Sequence, residues 1–598
     1  MTAPDLSHTP TGHVSKVLIA NRGEIAVRIA RAARDAGLKS VAVYSEADIE
    51  SLHIQAADEA YALRGVSALE TYMNVPALLD IAVRAGADAV HPGYGFLSEN
   101  ADFARAVIDA GLTWVGPSPE AIETLGNKVA ARQLATTAGA PLAPGTQDPI
   151  SNWEDARAFA EQYGMPIAIK AAFGGGGRGL KVVNNIDDIE EAFLSAGREA
   201  RAAFGNDECY VEKFLTKPRH VEAQVLADTH GNVVVVGTRD CSVQRRFQKL
   251  IEEAPAPFLT PEQNEQIIEG SRKLCRAANY TGAGTVEYIV AEDGTVSFLE
   301  VNTRVQVEHP VTEVVSGVDI IAEQFRIAAG LPLSITQDPE PVGHAFEFRI
   351  NAEDAANGFV PSPGTVTTFE APTGPGIRVD AGVRSGSTIP GVYDSLMAKL
   401  IVHGPTRDIA LRRAEDALAE LTIRGVRTVI PFHRDIVGHP AFTGESLDVY
   451  TNWVDKEYQP GRGFGWEDVE EGYVDRTNVG IEIDGRMHTI SFPTALIGGA
   501  KPAAPAEPRP AGTFVAQEAS ATEVATGVGG GVPCPYTGTL VGWKVEDGDE
   551  VEEGQTIAII EAMKMESPVH APQAGKVQLA ALNPGDEVQR GDVLAVVS

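Results

Sequence analysis

The last part of the chain contains an internal repeat, and this repeat restricts its fold more than any other feature. The sequence Gly-Asp-Glu-Val begins at Gly548 and again at Gly585, and a further glycine, Gly554 or Gly591, follows each copy. An apolar run comes shortly after each copy, TIAII in the first and VLAVV in the second. Two related units of glycine turn and strand predict a small all-β domain with two-fold internal similarity over residues 531–598.

A single lysine lies between the two halves of the repeat. It is Lys564, in the sequence EAMKME, where a hairpin turn would place its amine at an exposed tip. The preceding segment, residues 498–530, is rich in Ala, Pro and Gly, which predicts a flexible linker. A bare surface lysine is the ordinary alternative. The central position and the linker favour instead a tethered carrier of a covalent group.

The AMKM context of this lysine resembles the biotinyl domain of biotin-dependent carboxylases, a flattened β-barrel whose fold lipoyl domains share. The resemblance implies that a biotin protein ligase attaches biotin to Lys564 through an amide bond. Lipoyl domains are the alternative, but their lysine typically lies in a DKA-like context.

Apolar strands and amphipathic helices alternate at the beginning of the chain. The run KVLIA, residues 16–20, precedes a helical pattern at 24–35 and a second apolar run at 40–44. Two further strand candidates extend this βαβ pattern, which predicts an open α/β domain with a parallel sheet over residues 14–126. No GxGxxG follows the first strand, so a dinucleotide site is not expected.

A glycine run in the next part of the chain is a candidate phosphate-binding loop. It reads FGGGGRG over residues 173–179, between strand candidates at 167–170 and 180–183. Taken alone, the run is equally a flexible turn, and it lacks the GK[ST] ending of a Walker loop. Lys170, at the end of the preceding strand, favours a loop that binds phosphate and closes over it.

Residues 300–310 read EVNTRVQVEHP and carry polar groups at alternate positions. On an extended segment, alternation would place these groups on one face. A solvated edge strand is the ordinary alternative. A row of polar groups would be costly on a buried core strand, so the segment is a candidate functional site.

These motifs together resemble the biotin carboxylase family, which has an ATP-grasp core, and they occur in the family's order. The motifs IANRGEIAVRI and HPGYGFLSEN, at residues 19–29 and 91–100, also match and are interpreted as mainly architectural. In CSVQRRFQK, residues 241–249, Phe247 stands where a histidine near the nucleotide is common. The resemblance therefore does not decide whether residue 247 contacts the nucleotide.

The resemblance implies a role for individual residues by their position in these motifs. The implied nucleotide contacts are Lys128, Lys170, Gly175, Gly176, Gly177, Glu212, Lys213, Leu215, His220 and Gln244. The implied ligands of Mg²⁺ or Mn²⁺ are Glu287, Glu300 and Asn302. Glu308 would deprotonate bicarbonate, and Arg304, Lys249 and the Val307 backbone would hold this anion. Arg349 would stabilise the biotin enolate.

Three segments complete the expected organisation. Residues 127–333 would form the ATP-grasp domain and 334–458 the carboxylase C-terminal domain. A β-rich segment, 459–497, contains a predicted hairpin turn at Asp484-Gly485. This segment could equally be a docking site for another subunit or a spacer. A carboxyltransferase would need several hundred residues, so pyruvate carboxylase, which has one between the carboxylase and the carrier, does not fit.

The resemblance therefore implies the α chain of an acetyl-, propionyl- or longer acyl-CoA carboxylase, acting in fatty acid or lipid biosynthesis. It would form a homo-oligomer and work with separate carboxyltransferase β subunits. Two alternatives stay open: a carrier scaffold with a degenerate ATP site, and another ATP-grasp ligase such as a urea carboxylase. The acyl-CoA is not fixed by this sequence.

Charge and composition exclude other classes of function. A net charge of −33 and a pI near 4.8 argue against nucleic acid as a partner. No apolar run is long enough to span a membrane. Four scattered cysteines without a CxxC pair, and a polar start without a secretion signal, favour the cytoplasm. The expected fold class is α/β and α+β, in several domains.

Overall fold

The computed structural model describes residues 14–146, 149–171, 180–204, 209–444, 446–460, 476–483, 486–493, 531–535, 538–563, 565–588 and 591–598. It shows the predicted multidomain α/β and α+β fold, with an all-β domain at the C-terminal end. Among the described residues, no helix is long and apolar enough to cross a membrane. The expected biotin-bearing Lys564, the loop glycines Gly175, Gly176 and Gly177, and the expected linker 498–530 lie outside the described residues.

A five-stranded parallel sheet forms the first domain, as the alternation of strands and helices predicts. In sheet order its strands are Glu59–Ala62, Lys39–Tyr44, Lys16–Ile19, Ala89–His91 and Thr113–Trp114. The helices that accompany it are Gly23–Asp35, Leu52–Ala56, Val75–Ala85, Ala101–Asp109 and Pro119–Gly126, with a 3₁₀ turn at Glu46–Asp48.

A small three-stranded antiparallel sheet carries the expected phosphate-binding region. Its strands are, in sheet order, Leu180–Val183, Ile167–Ala171 and Cys209–Lys213. Helices Trp153–Tyr163 and Ile189–Phe204, with a 3₁₀ turn at Ile186–Asp188, complete this unit. The first and second strands flank the glycine run, as predicted.

An eight-stranded antiparallel sheet is the centre of the expected carboxylase region. Its strands are, in sheet order, Val296–Asn302, Gly282–Val290, Arg219–Ala227, Val233–Arg245, Gln248–Ala254, His344–Asn351, Leu396–Gly404 and Ile377–Ala381. The strand Gln248–Ala254 pairs with His344–Asn351. The ATP-grasp segment and the C-terminal segment therefore share one continuous sheet.

Helices and short strands surround this sheet. The helices are Lys128–Ala138, Pro261–Ala277, His309–Ser316, Ile320–Ala328, Arg407–Glu420, Ile430–Ile436, Pro440–Thr443 and Trp453–Lys456, with a 3₁₀ turn at Ala355–Asn357. The short strand pairs are Glu353–Asp354 with Val360–Pro361, Gly364–Thr365 with Thr388–Ile389, and Thr368–Glu370 with Thr422–Arg424.

The β-rich segment contains the antiparallel strands Arg476–Ile483 and Arg486–Pro493. Their pairing confirms the predicted hairpin, although its turn, Asp484-Gly485, lies outside the described residues.

The carrier domain consists of two four-stranded sheets. One contains Gly531–Pro533, Val593–Val597, Gly575–Leu579 and Glu550–Val551; the other contains Met565–His570, Thr556–Ala562, Gly538–Trp543 and Glu587–Val588. The repeated glycines Gly548 and Gly585 have φ angles of 95° and 99°, which side chains rarely adopt. The two copies of the repeat thus form equivalent turns, as their sequence predicts.

The carrier domain packs against the carboxylase region next to its expected attachment site. Ala562 pairs with Met565 across the antiparallel strands Thr556–Ala562 and Met565–His570. The backbone N–H of Met563 donates to the carbonyl oxygen of Gly391 at 3.1 Å, and the Met563 side chain is buried within the hydrophobic core of the C-terminal segment. Val360 contacts the carrier core from the carboxylase side.

Candidate active site

Three carboxylates come together across neighbouring strands of the central sheet. Glu222 lies opposite Glu287 in the strand register, and Glu287 lies opposite Glu300. Because directly opposed side chains share a face of the sheet, this register concentrates negative charge at one place. Glu222 and Glu287 are buried, whereas Glu300 is partly exposed.

Neutral and cationic donors surround the central carboxylate of this group. Oε1 of Glu287 accepts hydrogen bonds from Asn302 Nδ2 at 2.7 Å and Gln306 Nε2 at 2.8 Å, and Nε2 of His220 lies 2.8 Å from Oε2 of Glu287. Ligand atoms of His220, Glu222 and Glu287 lie within 4.8 Å of one another, a spacing that could hold a cation. Glu287 also lies beside Glu300 and Asn302, and these oxygen donors fit Mg²⁺ or Mn²⁺, which prefer oxygen ligands.

A buried lysine connects these carboxylates to Glu308. Nζ of Lys249 lies 2.7 Å from Glu308 Oε1 and 3.1 Å from Glu287 Oε1, and it also contacts Glu222. Burial opposes a charge on Lys249, but the three carboxylates raise its pKa well above the ordinary value. Burial also opposes a charge on Glu308 and by itself would raise the pKa of this carboxyl. The positive charges of Lys249 and Arg349 outweigh the effect of burial, so the pKa of Glu308 is lowered. Both groups are therefore ionised at neutral pH.

The start of a helix fixes the position of Glu308. This residue is the N-cap of helix His309–Ser316, and Pro310 occupies its first turn, where proline is preferred. The preceding strand ends at Asn302. The expectation that residues 300–308 alternate along one extended face is therefore wrong beyond Asn302: a turn, and not strand periodicity, brings Gln306 and Glu308 to the site.

Arg349 approaches Glu308 from the strand His344–Asn351. Its Nη2 donates to Glu308 Oε2 at 3.1 Å, and its Nε donates to Glu252 Oε1 at 2.6 Å. Glu308 thus accepts from Lys249 through one oxygen and from Arg349 through the other. The two cations that hold the Glu308 carboxylate could also attract an anionic substrate, so that Glu308 could act on it as a base.

Arg304 is oriented by a residue of the first domain. Its Nε donates to Glu99 Oε2 at 2.9 Å, and its Nη2 donates to Asn302 Oδ1 at 2.7 Å. Glu99 also accepts from the backbone N–H of Thr303 at 3.1 Å. The motif HPGYGFLSEN therefore does more than support the fold, because its glutamate orients an expected anion-binding arginine.

Comparison with known proteins agrees with this arrangement. Residues 13–122 match the biotin carboxylase N-terminal domain, 127–336 the ATP-binding domain of the carbamoyl-phosphate synthase L chain, and 347–456 the biotin carboxylase C-terminal domain. Residues 531–597 match the domain described as "Biotin-requiring enzyme". The chain is 52% identical to the biotin-dependent acyl-coenzyme A carboxylase alpha3 subunit of Mycobacterium leprae over 98% of this chain and 99% of that protein.

This chain belongs to the biotin-dependent acyl-CoA carboxylase alpha subunits. It is also 50% identical to the biotin carboxylase of Haemophilus influenzae, over 73% of this chain and 98% of that enzyme. Among solved structures, the biotin carboxylase subunit of pyruvate carboxylase matches 75% of this chain and 100% of its own, with a TM-score of 0.70 and 43% identity. Biotin carboxylase from Campylobacter jejuni matches 74% and 99%, with a TM-score of 0.65 and 41% identity. As an alpha subunit, this chain is an ATP-dependent biotin carboxylase that uses biotin, ATP and a divalent metal ion.

The expected phosphate-binding lysines of this alpha subunit pair with acids. Lys128 Nζ lies 3.4 Å from Glu300 Oε2, and Lys170 contacts Glu212, which pairs with Ala168 in the register of the small sheet. Lys128 and Lys170 are exposed, so both can turn toward a bound phosphate. Lys213 forms a separate ion pair of 2.7 Å with Asp293.

The remaining expected nucleotide contacts are divided between the two sheets. Leu215 is partly buried, just beyond the strand Cys209–Lys213. Gln244 donates from Nε2 to the Cys241 carbonyl at 2.7 Å and lies 3.0 Å from Nδ1 of His220. His220 therefore contacts both Gln244, another expected nucleotide contact, and Glu287, an expected metal ligand. Phe247, at the hairpin tip beyond Gln244, is 81% exposed and has a φ of 65°.

Several residues that complete the site were not predicted from the sequence. Arg239 is fully buried, and its guanidinium donates to Glu222 at 3.0 Å, Gln224 at 2.8 Å and Gln306 at 2.6 Å. The sequence signal that could have identified this polar cluster is the alternation of His220, Glu222 and Gln224 along an otherwise apolar strand. Such alternation indicates a polar face that has a function inside the protein.

The two N-terminal motifs hold each other in place. Asn21 Nδ2 donates to the carbonyl oxygens of Pro92 and Tyr94, each at 2.7 Å, and the Tyr94 hydroxyl contacts Glu24. Glu24 Oε2 lies 3.2 Å from Lys399 Nζ. These contacts give both motifs an architectural role, in addition to the contact of Glu99 with Arg304, and connect them to the C-terminal segment.

Proposed function

We propose that this chain carboxylates biotin held on Lys564 of its own carrier domain and supplies the carboxyl group to a separate carboxyltransferase subunit acting on an acyl-CoA. The observation that carries this proposal is the alignment with the M. leprae alpha3 subunit over almost the full length of both chains. That relative is described as an acyl-coenzyme A carboxylase subunit. The contact of Met563 with Gly391 supports transfer within one chain, because Met563 precedes the carrier lysine.

Bicarbonate activation depends on the cluster around Glu308. In the proposed mechanism, the Glu308 carboxylate accepts the bicarbonate proton, while Lys249 and Arg304 hold the anion for attack on the γ-phosphate of ATP. Lys249 remains positively charged, since three carboxylates face it. The product is an activated carboxyl phosphate, which reacts readily with water, so closure of the glycine-rich loop would protect it.

Mg²⁺ or Mn²⁺ would be held by Glu287, Glu300 and Asn302 and would supply positive charge to the phosphates. Lys128, Lys170 and the loop glycines Gly175, Gly176 and Gly177 would bind the phosphates, and Glu212, Lys213, Leu215, His220 and Gln244 would contact the nucleoside. Approach of phosphate would move Lys128 from Glu300, freeing that carboxylate for the metal.

The covalent biotin, when present, would supply a ureido nitrogen as the carboxyl acceptor, and the phosphate released from the carboxyl phosphate would take the proton of that nitrogen. Arg349 faces the same side of the cluster as Glu308, so its guanidinium can stabilise negative charge that develops on the ureido oxygen. Val307 would contribute its backbone beside the anion.

Two measurements test this proposal. Purified protein should hydrolyse ATP only when bicarbonate is present, and free biotin should stimulate the rate. Intact mass should show one biotin on protein prepared with biotin ligase and none on Lys564→Ala. A carrier that takes up biotin but shows no bicarbonate-dependent hydrolysis would support the scaffold alternative and overturn the enzymatic part.

The partner and acceptor need a separate experiment. Biotinylated protein should capture carboxyltransferase chains from a lysate of its source, and the reconstituted pair should incorporate labelled bicarbonate into an acyl-CoA. Acetyl-, propionyl- and long-chain acyl-CoA compared in parallel would identify the acceptor. Labelling of pyruvate or urea in place of every acyl-CoA would overturn the proposed acceptor class.

A further inference from the structure

Two glutamates face each other in the middle of the eight-stranded sheet. Glu252 and Glu347 are directly opposed in the register of the strands Gln248–Ala254 and His344–Asn351. Both are completely buried. Arg349 lies two residues beyond Glu347, so it projects from the same face of the sheet.

The two carboxyl groups have different surroundings. Oε1 of Glu252 accepts from Arg349 Nε at 2.6 Å. Among the described residues, neither oxygen of Glu347 has a hydrogen-bond partner, and Oε2 of Glu252 has none either. Two ionised carboxyls in this buried arrangement would repel each other strongly, so one of them must hold a proton.

The environment determines which carboxyl holds that proton. Burial raises the pKa of Glu347 well above its ordinary value; Lys399 opposes this rise, and the neighbouring Glu252 adds to it. Burial also raises the pKa of Glu252, but the Arg349 charge limits the rise to about 7. Glu347 therefore holds its proton more tightly, and the negative charge of the pair lies preferentially on Glu252, beside the guanidinium.

We propose that Glu252 is a positioning residue for Arg349, and that Glu347 is its neutral neighbour in the opposed pair. Glu252 fixes the Nε side of the guanidinium, which leaves Nη2 directed at Glu308. The Arg349 side chain is 17% exposed, so part of its guanidinium remains accessible to a bound group. This inference rests on the proposed role of Arg349 in carboxylating biotin.

Loss of the Glu252 charge would change the geometry at Glu308. Arg349 would keep its single Nη2 contact with Glu308, and its guanidinium, no longer held at Nε, could rotate about that contact. Such a rotation would withdraw the guanidinium from biotin. A misplacement of about 1 Å at a reacting group can lower a rate by roughly 100-fold.

The opposed pair offers a matched test, because the same substitution has different consequences at its two members. Glu252→Gln removes a charge, whereas Glu347→Gln replaces a neutral acid with a neutral amide of the same shape. Both variants and the wild-type full-length protein would be assayed for bicarbonate-dependent ATP hydrolysis with and without free biotin, and for the KM of ATP.

We expect Glu252→Gln to lower the biotin-stimulated rate by roughly 10- to 100-fold while the biotin-independent rate and the KM of ATP change less than about threefold. Glu347→Gln should retain at least about half of the wild-type biotin-stimulated rate. Equal losses of the biotin-stimulated rate in the two variants would contradict the different roles proposed for Glu252 and Glu347. Loss of both rates in Glu252→Gln would indicate a purely structural role and overturn the inference.

The wild-type protein separates this inference from the proposed function. If it shows no biotin stimulation, the proposed function fails. If it is stimulated and Glu252→Gln is stimulated equally, the proposed function stands and only the positioning role of Glu252 fails.

Discussion

The ammonium group of Lys399 donates a 2.9 Å hydrogen bond to the carbonyl oxygen of Val307, the residue immediately before Glu308. Lys399 is completely buried and also lies 3.2 Å from the Glu24 carboxylate. Burial lowers the pKa of this lysine, but Glu24 and other neighbouring acids raise it above its ordinary value. One buried charge thus joins the first domain, the C-terminal strands and the backbone next to Glu308.

Lys399→Met should be strongly destabilising. It would leave Glu24 buried without its cation and the Val307 carbonyl without this donor, a type of change that typically costs about 3–5 kcal/mol. The free energy of unfolding would be measured by urea titration. Lys39→Met is the control, because Lys39 is 68% exposed and its ion pair with Asp58 should contribute less than about 1 kcal/mol. Similar losses in the two variants would contradict the argument.

Glu308→Gln should remove the proposed base while preserving the shape of the site. Bicarbonate-dependent ATP hydrolysis should fall by about 10²- to 10⁴-fold, since the amide cannot accept the proton. The KM of ATP should change little, because Glu308 contacts Lys249 and Arg349 and not the expected nucleotide residues. Glu120→Gln, at an exposed position, should behave as wild type. A Glu308→Gln enzyme with near-normal hydrolysis would exclude Glu308 as the base.

The sequence predicted the parts of the site that lie in local motifs. Lys249, Asn302 and Glu308 were predictable because each occurs in a motif whose residue types and order resemble a known family. In the structure, these residues come together with Glu287. Strand alternation correctly placed Glu300 and Asn302 on an extended segment, but it failed after Asn302, where the chain turns toward Pro310.

The contacts that hold these residues depend on strand pairing between distant segments. Glu252 meets Arg349, and Lys399 meets Val307, only after the eight-stranded sheet has formed. In the sequence, Lys399 is one lysine within the apolar run LMAKLIVHG, and nothing local identifies its partner. Periodicity identifies the face of a residue, whereas register between strands determines its neighbour.

His433 should make stability depend on pH. Burial lowers its pKa to about 4, although the carbonyl of Arg349, which its Nε2 contacts at 2.7 Å, favours the charged form. The unfolded chain therefore binds a proton near pH 6.5, while the folded chain binds it only near pH 4. The neutral His433 ring therefore contributes fully to the free energy of unfolding above pH 6.5. This contribution declines as the pH falls toward 4, by roughly 2 kcal/mol between pH 7 and 5.

The measurement is the free energy of unfolding at pH 7 and pH 5, compared between variants. His433→Gln keeps a side-chain N–H donor and should reduce the loss between these pH values by about 2 kcal/mol. His230→Gln, at an exposed histidine, should leave the loss unchanged. An unchanged pH dependence in His433→Gln would show that the ring is not held neutral.

The contact between Met563 and Gly391 predicts a specific cross-link. A backbone N–H···O=C contact brings two Cα atoms within about 4.4–6.8 Å, the range that a disulfide spans. Gly391→Cys combined with Met563→Cys should therefore oxidise rapidly, and the four native cysteines are buried and should not compete. Non-reducing gels and peptide mass spectrometry would show an intramolecular bond if a chain loads its own carrier. As a control, Gly391→Cys combined with Val541→Cys places the second thiol at a different position of the carrier domain, which is 39% exposed, and this pair should react more slowly. Equal rates for the two pairs would show that the carrier has no preferred position on the carboxylase, and a bond between two chains would show that carboxylation occurs in trans.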